Sequence, residues 1–181
     1  MPRTRKPAEA LRRAARILFF RTHSKPGVKG WELRRALGSD YLSVIKSLNE
    51  YLAPLGLEVR AVTEDGRRLN LDEETGEHSR AIYVVTLKTQ PTLTELKTSG
   101  WRVDYIAVLA SAILYLYSNN GRAKRSDVEN ALKQKFQLWR LRAAIDKLVR
   151  AGYLDERDGV LSIGWRSYAE IDIEKFVMRK Q

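Results

Sequence analysis

The chain predicts an α+β fold, mostly helical, built as two tandem winged-helix domains, and three observations carry that prediction. Apolar residues recur at helical spacing through most of both halves, and in each half the helical run gives way to a pair of short strands rich in β-branched residues. A polar stretch with a proline, TQPTLTELKTSG, separates the halves. The expected boundaries are 1–88 for the first winged-helix domain, 89–100 for a linker and 101–181 for the second.

Residues 1–7 read as a loose end. Residues 8–22 read as a helix with Leu11, Ala14, Ala15 and Leu18 on one face and Arg12, Arg13 and Arg16 on another. Phe19 and Phe20 lie toward the basic side, where they either complete a broad core stripe or meet a partner subunit. His23 to Gly27 breaks that helix, and residues 29–37 give a short second one before Gly38. The third, residues 41–53, is capped by Ser39 or Asp40 and buries Tyr41, Val44, Ile45, Leu48 and Leu52. Its outer face offers Ser43, Lys46, Ser47, Asn49 and Glu50, too nearly neutral to read phosphates.

Strands are expected at 57–62 and 81–87, with residues 63–79 forming a long polar wing between them. Asp72, Glu73, Glu74 and Glu77 in that wing read as a solvated acidic loop rather than as metal ligands.

In the second half, residues 101–117 form a helix that is apolar nearly all round: Val103, Tyr105, Ile106, Val108, Leu109, Ile113, Leu114 and Leu116. It falls short of the roughly 20 apolar residues that cross a bilayer, so no membrane partner is expected. Such a helix needs cover on several sides, and Tyr105 and Leu109 are the expected contacts with a partner. After a turn at Asn119-Asn120-Gly121 come a basic run (Arg122, Lys124, Arg125), an N-cap at Ser126 and a helix over 127–136 that turns Val128, Ala131, Leu132 and Phe136 inward.

Residues 138–151 form the next helix. Leu138, Leu141, Ala144, Ile145, Leu148 and Val149 share its apolar stripe, leaving Trp139, Arg140, Arg142, Ala143, Asp146, Lys147 and Arg150 on the other side. Gly152 ends it, and residues 153–157 and 160–163 read as strands joined at Asp158-Gly159. Helix, helix and wing make a helix-turn-helix variant, so the face with Trp139 and its cations is the first place to look for a partner. Residues 165–181 return to a helical pattern with Ala169, Ile173, Phe176 and Val177 as packing residues.

Charge supports that emphasis. Lys and Arg number 33 against 22 Asp and Glu, a net charge of +11 over 181 residues. Residues 1–35 carry 11 basic and 2 acidic side chains, 36–100 carry 7 and 10, and 101–181 carry 15 and 10. Basic ends around a mildly acidic middle suit a polyanion binder with a separate protein contact. The chain has no cysteine, which removes disulfides, thiolate metal sites and cysteine nucleophiles and suits an intracellular protein. Ile17 to Phe20 is too short an apolar run for a signal-peptide core. His23 and His78, the only histidines, are expected in loops without metal-ligand or catalytic spacing, and no glycine-rich phosphate loop occurs. No enzymatic activity and no cofactor are expected.

Short motifs resemble the melanoma-antigen (MAGE) homology domain. Arg122-Ala123 followed by Val128 and Leu132, the strand start Tyr153-Leu154-Asp155, and Ile163-Gly164-Trp165-Arg166-Ser167-Tyr168-Ala169-Glu170 are similar to family patterns, the last matching at Gly164, Arg166, Ala169 and Glu170 and departing at Ile163 and Trp165. Leu55-Gly56-Leu57-Glu58-Val59 looks like the family's start of the first strand. The resemblance implies tandem winged helices of the kite type, which bind the kleisin of an SMC complex, and in the MAGE-like branch also a RING-type ubiquitin-ligase subunit and DNA. This chain, lacking cysteine, cannot be the zinc-bearing RING subunit itself.

The expected DNA contacts are Arg122, Lys124, Arg125, Trp139, Arg140, Arg142, Lys147 and Arg150; the expected partner contacts are Phe19, Phe20, Tyr105 and Leu109. Homodimer and heterodimer both stay open. A sequence-specific transcription factor and a ubiquitin-ligase cofactor without a DNA role are the competing readings.

Overall fold

The structure is a computed structural model that describes residues 5–20, 26–89, 95 and 100–178. It is a mixed helix-and-sheet fold, and the chain divides into two compact units, Met1–Gln90 and Pro91–Gln181. Apart from Thr89, Glu95 and Gly100, the expected linker lies outside the described residues, as do His23 and residues 179–181.

In the first unit, α1 (Arg5–Phe19) packs on α2 (Gly30–Leu37) and α3 (Tyr41–Leu52), and a four-stranded antiparallel sheet closes the core. Its strands are β1 (Val28–Lys29), β2 (Leu57–Val62), β3 (Arg68–Leu69) and β4 (Ile82–Leu87), in the order β1-β4-β2-β3. Ala14, Leu33, Ile45, Leu48, Val59, Ala61 and Tyr83 fill the space between helices and sheet. On α3 the buried arc is wider than a one-sided stripe, because α1 and β2 both press on it. Leu42 is therefore buried as well, and Val44 only partly. Phe19 and Phe20 do not complete the stripe of α1; both are exposed, Phe20 by 77%.

The polar wing is more structured than a solvated loop. His78 is buried, with Nδ1 at 2.8 Å from the Tyr83 hydroxyl and Nε2 at 2.7 Å and 3.1 Å from the carbonyl oxygens of Glu73 and Asn70. Two carbonyl partners place a proton on Nε2, and with the Tyr83 hydroxyl at Nδ1 both ring nitrogens are satisfied. The turn it anchors lies against the start of α2, where a Cβ on Gly30 would meet the His78 carbonyl oxygen at 1.8 Å.

The second unit is built on α4 (Val103–Ser118), whose Val108, Leu109, Ala112, Ile113 and Leu116 are all buried within the unit. Leu109, expected as a partner contact, is 8% exposed and lies in the unit's own core. Val103, by contrast, is exposed. Asn120 and Gly121 then take the left-handed backbone that reverses the chain.

The basic run that follows contains a short strand: β5 (Arg122–Lys124) pairs with β7 (Val160–Ile163), with Ala123 opposite Leu161. Its pairing was illegible because neither cation resembles a strand former. In consequence α5 (Arg125–Leu132) begins one residue before the expected cap Ser126, with Lys124 as N-cap. It also ends early, since the amides of Lys135 and Phe136 both bond to the Leu132 carbonyl and tighten the chain into a turn. Ala131 is left exposed, and Phe136 packs on the core from the turn.

Next comes α6 (Leu138–Arg150), then β6 (Leu154–Arg157) paired with β7 through Asp158 and Gly159, both at positive φ as the tight turn requires. The sheet order is β5-β7-β6. Two short helices follow, α7 (Trp165–Glu170) and α8 (Ile173–Met178), rather than one continuous helix.

The motif residues around α7 form a structural clamp. Ser167 Oγ donates to the Tyr153 carbonyl at 2.7 Å, the Tyr153 hydroxyl donates to Glu170, and Arg166 donates from Nε to Glu170 at 2.6 Å while its guanidinium lies 4.6 Å from the Tyr153 ring centre. Gly164 makes this possible, since a Cβ there would fall 2.3 Å from the Gly152 carbonyl oxygen and 2.8 Å from the Tyr153 carbonyl carbon. Backbone atoms cannot yield as a flexible side chain can. The substitution Gly164→Ala is expected to lower stability by about 1–3 kcal/mol, the usual cost of overpacking, in urea unfolding; an unchanged midpoint would contradict the clamp.

Candidate nucleic-acid interface

The second helix-turn-helix element is α5, the turn over residues 133–137, and α6. On α6 the side chains of Leu141, Ala144, Ile145 and Leu148 are buried, which commits the opposite side of the helix to the surface. Trp139 stands there 67% exposed, with Ala143, Asp146, Lys147 and Arg150 along the same side and Arg140 and Arg142 flanking. Leu138, placed in the apolar stripe by its spacing, is 41% exposed instead, because the first residue of the helix projects beyond the core.

The expected DNA contacts separate into two groups. Arg125 is not available: its Nε, Nη1 and Nη2 meet Glu129 at 2.9 Å, Glu156 at 2.9 Å and Asp146 at 2.7 Å, tying α5 to α6 and β6. Burial alone would lower the pKa of that guanidinium, but the carboxylate hydrogen bonds outweigh it, and the net shift is upward. Arg142 reaches the same cluster, donating from Nε to Glu129 at 2.8 Å. The positive charge of these arginines is answered locally, so neither is a free cation.

Arg122, Lys124, Arg140, Lys147 and Arg150 are exposed and, among the described residues, form no ion pair. Two of them rest on aromatic rings: the Arg140 guanidinium lies 5.1 Å from the Trp139 ring centre, and Lys147 Nζ lies 4.6 Å from that of Tyr105. Tyr105, expected to meet a protein partner, is half-buried and also carries Arg102 at 5.4 Å. Phe19 and Phe20, in the first unit, stand exposed, as do Trp31 and Tyr51 of the same unit.

Sequence reasoning missed the carboxylates of this site. Glu129 had a local signal, its spacing of four from Arg125 along a helix. Asp146 and Glu156 lie 21 and 31 residues from Arg125, and only the packing of α6 and β6 brings them in. Lys133 and Lys135, exposed in the turn before α6, were also passed over. No group of three or more His, Asp or Glu side chains gathers for a metal ion among the described residues, and no helix there is long and apolar enough to cross a membrane.

No protein-family model matches the chain, and no curated protein matches it in sequence. In three dimensions it is similar to a chain of a solved structure described as the Nse1-Nse3-Nse4 complex, with a TM-score of 0.71 over 95% of this chain and 75% of that one, at 15% identity. At that identity the likeness is one of fold.

Glu129 is 8% exposed and bound by two arginines. Burial alone would raise its pKa, yet the hydrogen bonds from Arg125 and Arg142 hold it below the ordinary 4.5 of a glutamate. A carboxyl depressed in the folded state adds stability above its unfolded pKa, and that contribution is lost as the pH falls through the folded value. Unfolding free energy should therefore fall more steeply below about pH 4.5 in the parent chain than in Glu129→Gln. Urea titrations across that window read the difference; parallel profiles would show that the arginines do not hold the carboxylate.

Proposed function

We propose that the chain is a non-enzymatic, kite-type subunit of an SMC-like chromosome-organising complex, which docks a kleisin-like partner on apolar surface and holds DNA without sequence preference on the outward side of α6. The observation that carries the DNA contact is the sorting of charge on the second unit. Arg125 and Arg142 are neutralised by carboxylates, while Arg140, Lys147 and Arg150 share one exposed helix surface with no acidic partner among the described residues. Cations left unanswered on the second helix of a helix-turn-helix element suit a phosphate backbone.

Membership of a complex is supported by the likeness of fold to a chain of the Nse1-Nse3-Nse4 complex and by the MAGE-type motifs at Gly164, Arg166 and Glu170. By the same reasoning a RING-type subunit is a second partner. Phe19 and Phe20, too large and too exposed to be satisfied by their own unit, are the proposed protein contacts there. Tyr105 has its own covering cations and is a weaker one.

Charge reversal tests the DNA contact. Arg140, Lys147 and Arg150 replaced together by Glu should weaken binding to every duplex alike and lower the salt dependence by roughly 0.9 for each phosphate no longer neutralised. Arg142 is left out of that set, because a carboxylate at this position would face the buried Glu129 and disturb the fold itself. Unchanged affinity in the triple variant, by fluorescence anisotropy across a salt series, would overturn the DNA assignment. A preference of roughly a thousandfold for one site over random duplex would move the reading to a sequence-specific regulator.

A further inference from the structure

Resting on the reading of α6 as a nucleic-acid surface, we infer that Trp139 is a stacking platform for an unpaired base, so that this face prefers single-stranded nucleic acid, or a duplex with frayed bases, to intact duplex. Charge alone does not ask for an indole. A large aromatic surface left 67% exposed is costly in water, and among the described residues the one cation resting on it is Arg140 at 5.1 Å.

The surroundings of Trp139 fit a base attached to a phosphate. From Asn130 to Ile145 the chain carries Lys133, Lys135, Arg140 and Arg142 and no Asp or Glu. Arg142 is spoken for by Glu129, but the other cations lie exposed in the turn and on the first turn of α6. Leu138, the residue before it, is also exposed, while Phe136 in the preceding turn is half-buried against the core. An aromatic ring set among cations is how proteins hold unpaired bases without reading their edges, since every base has a π-face. In intact duplex those faces are already stacked on one another and offer the indole nothing.

The first carboxylate on this side of the helix is Asp146, and its charge is turned to Arg125. Along α6 a strand running from Trp139 toward Lys147 and Arg150 therefore passes one carboxylate, Asp146, whose charge is shared with Arg125.

Binding of the full chain to a thymidine oligomer of about 15 nucleotides, its uridine counterpart and a blunt mixed-sequence duplex tests this, since surfaces of this kind cover about 4–16 nucleotides. The parent protein should bind the single strand more tightly than the duplex, and Trp139→Ala should cost roughly tenfold or more on the single strand while changing duplex binding less than about twofold, stacking being worth about that factor per base. Indole fluorescence should be quenched by the single strand, and the quenching lost in Trp139→Phe although Trp31, Trp101 and Trp165 remain. The two oligomers separate DNA from RNA as the source of the base.

If duplex binds and the Arg140, Lys147, Arg150 reversal abolishes it, yet Trp139→Ala is silent on the single strand, the stacking platform is wrong while the basic face survives, and the indole serves a protein instead. If neither form binds the parent chain, both readings fall.

Discussion

The second unit depends on one guanidinium. Arg125 sits where α5 begins, and its nitrogens engage carboxylates from α5, from the middle of α6 and from β6. It thereby fixes the turn-helix pair and the wing as one body. Its side chain is only 24% exposed, so the cluster is partly withdrawn from water. Removing one member of such a network leaves charge uncompensated where water still screens it in part, so the cost falls below the roughly 3–5 kcal/mol of a fully buried pair. The same geometry sorts the cations: Arg125 and Arg142 pair with carboxylates, whereas Arg140, Lys147 and Arg150 form no ion pair among the described residues.

Much of the fold was legible because its determinants are local. Helical spacing marked α3, α4 and α6, and the pair Asp158-Gly159 marked the hairpin of β6 and β7, since a tight turn at positive φ needs those residue types. What escaped was set by distant packing. β5 exists because Ala123 lies opposite Leu161, a pairing no window around Arg122 and Lys124 could show. His78 looked like a loop residue among acids, yet Tyr83 and two carbonyl oxygens from the same wing draw it inside. Leu109, expected to meet a partner, lies in the unit's own core.

At the candidate site the outward placement of Trp139, Arg140, Lys147 and Arg150 followed from helical period alone, because Leu141, Ile145 and Leu148 fix the opposite side. Which of the cations carry net charge did not follow. That depends on Asp146 and Glu156 arriving from elsewhere in the unit, and a count of Lys and Arg treats Arg125 and Arg140 as equals. Gly164, Arg166 and Glu170, which carry the resemblance to the MAGE homology domain, also change meaning once seen in place. They clamp α7 to Tyr153 and speak for the architecture of the unit rather than for a contact surface.

Backbone chemical-shift mapping of the isotope-labelled full chain, titrated with nucleic acid, tests most directly whether the surface of α6 and not the ion cluster beneath it is the contact. The account predicts that the shifts concentrate between Leu138 and Arg150, with the Arg125 and Glu129 backbone signals holding still. Shifts that spare α6 and gather in the first unit, or that follow Arg125 as its carboxylates let go, would contradict it.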